Sequence, residues 1–136
     1  AFIFRSVGAL NYFMGKFDKA LHYFEKASII FKDQGNKNEY ATTIGNIGNI
    51  YLTNSDFLKA EHFYNSQISI SHSINNQFGV ATGNLTLATV RMNQGKYDEE
   101  LVRTKRLIKV FQNFKSYKEL TQIFSNIGII YEYKKK

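Results

Sequence analysis

Gly48-Asn49-Ile50-Tyr51, followed by Phe57-Leu58-Lys59-Ala60, decides the fold, because the chain repeats it. Forty residues earlier the same order stands as Gly8-Ala9-Leu10-Asn11, then Phe17-Asp18-Lys19-Ala20. Forty residues later it returns as Ala88-Thr89-Val90-Arg91 and Tyr97-Asp98-Glu99-Glu100, and a fourth start stands at Gly128-Ile129-Ile130-Tyr131. Self-similarity at a fixed period marks an architecture in which one unit cannot bury its apolar face alone and neighbours stack to do so.

Between these anchors the apolar spacing is helical. Phe4, Val7, Gly8 and Leu10 recur at helical spacing, with Phe4, Val7, Gly8 and Asn11 at the centre of the core stripe, as do Leu21, Phe24, Ala27, Ser28 and Phe31, and then Ile44, Ile47, Gly48, Ile50 and Tyr51. Gly15-Lys16, Gly35, Asn54-Ser55-Asp56, Asn75-Asn76 and Gln94-Gly95 punctuate the pattern. Asn36 with Glu39 and Ser116 with Glu119 read as capping boxes. The expectation is all-α: three helical hairpins and a seventh helix running to the end, in units of about 1–36, 37–76, 77–116 and 117–136. Lys134-Lys135-Lys136 reads as a turn between helices. Small residues at Gly8, Gly48, Ala88 and Gly128, with Ala20 and Ala60, should let neighbouring helices approach closely. Phe17, Phe57 and Tyr97 should fill the wedge between one pair and the next.

Composition removes several classes of function. The 136 residues carry 43% hydrophobic and 21% charged side chains, an ordinary globular balance. Cysteine is absent, which excludes disulfides and thiolate metal sites, and proline is absent, which permits uninterrupted helices. No apolar run reaches the roughly 18 residues of a membrane span and no signal peptide opens the chain, so a cytoplasmic protein is expected. The first residue is Ala rather than Met, which suggests a piece of a longer protein. Of the net charge of +7, residues 91–136 carry most, with eleven Lys and Arg against five Asp and Glu.

Gly, then Tyr, then an aromatic-x-x-Ala turn resembles the tetratricopeptide repeat (TPR) family over essentially the whole chain. The resemblance implies a single right-handed α-solenoid domain of about three and a half repeats. The third repeat departs at Arg91, Glu100 and Thr104, where the second has Tyr51, Ala60 and Tyr64, and the first departs at Asn11. The family's usual period is about 34 residues. The longer spacing and the Asn-Ile-Gly-Asn-Ile-Tyr wording look most similar to TPR arrays of bacterial regulatory proteins, which often precede a kinase or DNA-binding output domain.

The face of each odd helix opposite its core stripe is where a ligand should meet the stack. It carries Arg5, Ala9, Tyr12 and Phe13, then Asn46 and Asn49, then Thr86, Thr89 and Asn93, then Asn126 and Tyr133. The resemblance implies that this concave groove takes extended peptides. An asparagine amide both donates and accepts, so Asn46, Asn49 and Asn126 could hold a ligand's main chain; alternatively they satisfy neighbouring side chains or face water. Arg5 is the one basic residue of that face, too few for a clamp on a C-terminal carboxylate.

A basic patch of Arg103, Lys105, Arg106 and Lys109 reads either as an acidic-partner or nucleic-acid surface or as a solvated helix face, and no stacking aromatics clearly interleave it. His22 and His62 share a register without a third ligand, so no metal site is expected. No phosphate loop and no nucleophile beside a base occurs, so neither catalysis nor a cofactor is expected. The leading reading is a non-enzymatic scaffold for a protein or peptide partner, with no membrane role. The alternatives are a sensor or dimerisation segment of a transcription regulator or sensor kinase, associating through the last helix, and nucleic-acid binding through the basic hairpin.

Overall fold

Helices begin every twenty residues after the first: α1 Phe2–Phe13, α2 Phe17–Asp33, α3 Lys37–Thr53, α4 Phe57–Ser73, α5 Gln77–Asn93, α6 Tyr97–Asn113 and α7 Tyr117–Lys134. The computed structural model describes residues 1–135, and Lys136 lies outside the described residues. Each helix packs on the next, while α1 also touches α3 and α5 touches α7. The odd helices therefore line one wall of an all-α solenoid.

The spacing is set by the turns. Residues 15, 35, 55, 75, 95 and 115 all have positive φ, with glycine at three and Ser55, Asn75 and Lys115 at the others. At each turn two backbone bonds close the helix end: at Gly35, for instance, its N–H donates to Lys32 and the Asn36 N–H to Phe31. This is the Schellman arrangement, which satisfies carbonyls that a helix end leaves free. Three of the following helices are capped by a side chain: Asn36, Asp56 and Asn76 accept from the N–H of Glu39, Lys59 and Gly79. The box expected at Ser116 takes another form, since its hydroxyl donates to the Glu119 carboxylate and caps no backbone N–H. The expected turn at Lys134 is also corrected: it ends α7, and its ammonium reaches Asp98 at 2.7 Å.

Burial runs along the stack in three clusters rather than one ball. Ala20, Phe24, Ile44, Ile47 and Ile50 join α2 to α3, and Ala60, Tyr64, Leu87 and Val90 join α4 to α5. Ala81, Leu85, Phe111 and Ile123 join α5 to α6 and α7. Gly48 explains the close approach in the second repeat: a Cβ there would meet the Tyr64 ring at 2.8 Å. Gly8 sits likewise beneath Phe24, but Gly128 has nothing within 4 Å, so the contact expected there is absent. Tyr97 stacks on Tyr133 with centroids 3.9 Å apart, closing the wedge between α6 and α7.

Candidate functional site

The inner wall holds a cavity of about 330 Å³, lined by Leu52 of α3, Thr82, Leu85, Thr86 and Thr89 of α5, and Lys118, Glu119 and Gln122 of α7. Three odd helices meet here because the helices between them stand on the other side of the stack. The α5 threonines fall a turn apart and present one row to the opening. Each returns its hydroxyl proton to its own helix, Thr86 to the Thr82 carbonyl at 2.9 Å and Thr82 to Gly79 at 3.1 Å. Such back-bonding is the usual resting place of a helical threonine, and it leaves the hydroxyl oxygen free to accept. Gln122 donates from Nε2 to Asn126 Oδ1 at 2.8 Å. The wall is thus hydroxyl-rich with one amide, Gln122, an apolar floor from Leu52 and Leu85, and one residue of each charge, Lys118 and Glu119.

Thr86 and Thr89 lie in this cavity as the periodicity places them. Asn46 is half-buried on the equivalent face of α3. Asn49 is committed in part: its Oδ1 accepts from the Tyr64 hydroxyl, which leaves its NH₂ as the group a ligand carbonyl would meet. Burial pushes the Tyr64 phenol well above its ordinary value, so it stays a donor. Asn93 is exposed and donates to the Thr89 carbonyl at 2.9 Å. Asn126 is 2% exposed and its Nδ2 has no partner. It lies one turn behind Gln122 rather than open to solvent, because α7 packs against both α5 and α6.

The α1 residues stand apart from that cavity. Arg5 pairs with Glu39 of α3 and lies over the rings of Phe2 and Phe31 at 5.2 and 5.5 Å. Ala9 packs on the first core cluster, and the Tyr12 hydroxyl bonds Thr53 at 2.9 Å. Together they form the α1–α3 seam. Phe13 is largely exposed beside Tyr12, and Tyr133 is held by its stack on Tyr97.

The four basic side chains of α6 make separate contacts. Arg103 donates to Glu100 at 2.7 Å, and Lys105 reaches the Tyr131 hydroxyl at 3.1 Å and its ring face. Arg106 faces α5, and Lys109 is exposed. Thr82, Lys118 and Glu119 are cavity residues that the face reading omitted. Thr82 stands one turn before Thr86, and that register is the signal that finds it. Among the described residues no three His, Cys, Asp or Glu side chains gather to hold a metal, and no helix is long and apolar enough to cross a membrane.

The model of the tetratricopeptide repeat family matches residues 1–70. No curated protein matches the chain. Among solved structures it is similar to BtubC (BKLC) from P. vanneervenii, with 23% identity and a TM-score of 0.80 over 96% of this chain and 54% of that one. It is also similar to aspartyl phosphate phosphatase F from Bacillus subtilis, with 17% identity and a TM-score of 0.87 over 97% of this chain and 35% of that one. The chain therefore spans about half of the first and a third of the second, and at these identities the likeness is one of fold.

Proposed function

Because the chain belongs to the tetratricopeptide repeat family, we propose that it is a non-catalytic interaction scaffold holding an extended peptide or partner helix in the groove of α3, α5 and α7. The observation that carries this reading is the 330 Å³ cavity, whose row of Thr82, Thr86 and Thr89 faces Gln122 across an apolar floor. Hydroxyl oxygens and amides can bond a main chain without selecting its side chains. The mixed Lys118 and Glu119 rim favours no strongly charged ligand. Peptides selected from a random display library against the full chain supply the probe. Amide NMR shifts should then concentrate on Leu52, Thr86, Thr89 and Gln122. Shifts confined to the outer helices α2, α4 and α6 would overturn the assignment.

A specific observation favours a second, compatible reading, self-association through α7. Phe124 and Tyr131 flank the open seat at Gly128, and both are about half exposed, at 57% and 46%. A self-complementary ring-and-hole stripe of this kind suits a second copy of the helix. Light scattering over a concentration series tests it: a mass that stays monomeric at the highest concentration contradicts it.

A further inference from the structure

On the side of α5 opposite the groove, a smaller cavity of about 220 Å³ opens between α5 and α6, lined by Asn84, Arg91, Glu100, Arg103, Arg106 and Leu107. Three guanidiniums on the wall of one small cavity are not what stacking requires. The second repeat has Ile44, Tyr51, Ala60, Phe63 and Ser66 where this one has Asn84, Arg91, Glu100, Arg103 and Arg106. Four of the five replace an apolar side chain with a polar or charged one, Arg106 replaces a serine, and all five line the same space, whose sixth residue, Leu107, stands where the second repeat has Gln67.

We infer that this cavity is a binding site for a small oxyanion of the phosphate class, held by Arg106, Arg91 and Arg103 with the Asn84 amide. Charge sets the ligand's sign. The lining holds three cations and one anion, and Glu100 is already matched by Arg103 at 2.7 Å and Arg91 at 3.7 Å. Arg91 also meets Glu61 at 3.7 Å and Arg103 meets Glu99 at 4.0 Å, but both of those carboxylates lie outside the lining, and Glu99 is well exposed. Arg106 has no acidic partner among the described residues. Donor number allows the sharing, because a guanidinium carries five N–H groups in a fork that fits phosphate oxygens, and Arg103 spends few of them on Glu100. Size sets the class: the volume falls below the roughly 300–1,000 Å³ of a drug-sized pocket and suits a single phosphoryl group.

The source of that group is a free phosphate ion or a phosphoryl carried on a side chain, and one experiment separates them. Thermal unfolding of the full chain is followed with inorganic phosphate, O-phosphoserine, and chloride at equal ionic strength. Inorganic phosphate should raise the midpoint saturably, by about 3 °C at millimolar excess, above the chloride baseline. Arg106→Gln should weaken the apparent affinity at least ~10-fold. Lys109→Gln, with the same charge change on the same helix but off the cavity, should respond as the wild type does. A matching rise with O-phosphoserine assigns the site to phosphorylated side chains, and a response to inorganic phosphate alone assigns it to the free ion. An equal shift in chloride, no saturable shift with either phosphate compound, or an Arg106→Gln response like the wild type's overturns the inference.

Discussion

Arg91 lies 3.7 Å from the carboxylate of Glu100, a side chain only 1% exposed. In the second repeat these two places hold Tyr51 and Ala60, and Tyr51 stacks there on Phe63 with ring centroids 5.4 Å apart and the planes nearly parallel. The third repeat has exchanged an apolar contact for an ionic one, and Arg103 in the place of Phe63 completes the exchange. Either change alone costs part of a shared ionic contact: without Arg91 the buried Glu100 carboxylate keeps only Arg103, at 2.7 Å, and without Glu100 the Arg91 guanidinium keeps only Glu61, at 3.7 Å. A double-mutant cycle on Arg91→Tyr and Glu100→Ala should therefore show coupling of about 1–2 kcal/mol, the double variant recovering most of what Arg91→Tyr loses. Urea midpoints measure this, and additive effects would contradict it.

The turns make a second prediction. Ser55 and Lys115 hold positive φ, of 61° and 53°, where a side chain is strained and glycine is not. Ser55→Gly and Lys115→Gly should each stabilise by about 1 kcal/mol. Gly35→Ala, at φ 69°, should destabilise by a similar amount or more. If all three changes move the melting midpoint in one direction, the turn account fails.

Gly48 and Gly128 occupy one register position with opposite surroundings. Gly48→Ala drives a methyl against the Tyr64 ring and should cost about 1–3 kcal/mol. Gly128→Ala meets nothing and should stabilise by up to about 1 kcal/mol through helix propensity alone. Calorimetry on the two variants decides; equal losses at both sites would be inconsistent with an open seat on α7.

Tyr64 gives a pH dependence. Its folded-state pKa is raised by burial, whereas in the unfolded chain an ordinary tyrosine ionises near pH ~10. The unfolded state therefore releases the proton first as pH rises, so this contribution is complete below about pH 10 and declines above it. Tyr64→Phe should flatten that alkaline decline. At neutral pH it should cost about 1 kcal/mol, since Asn49 loses its donor. An alkaline limb with the same slope in wild type and variant would contradict the assignment.

How far the sequence carries the reader depends on the range of the contact. The turns lie inside short windows, so Gly35, Asn36 and Gln94-Gly95 announce the helix ends directly. The stripe Ile44, Ile47, Gly48 and Ile50 is equally plain, because its period follows from one helix. Arg5 is different: its partner Glu39 lies on another helix, and the pairing turns an expected groove cation into a seam contact. Asn126 has the pattern of a groove residue, yet α7 packs closely enough to bury it. Arg91 and Glu100 read separately as two flaws in a repeat and are intelligible only as a pair across α5 and α6.

The groove account is tested most directly through Thr86, whose side chain stands in the middle of the α5 row. With peptides selected against the wild type, Thr86→Arg should fill the cavity with a long side chain and weaken binding at least ~10-fold, a loss of about 1.4 kcal/mol, while the melting midpoint stays put. Unchanged affinity in a variant that folds and melts normally would contradict the proposal that the peptide lies between α3, α5 and α7.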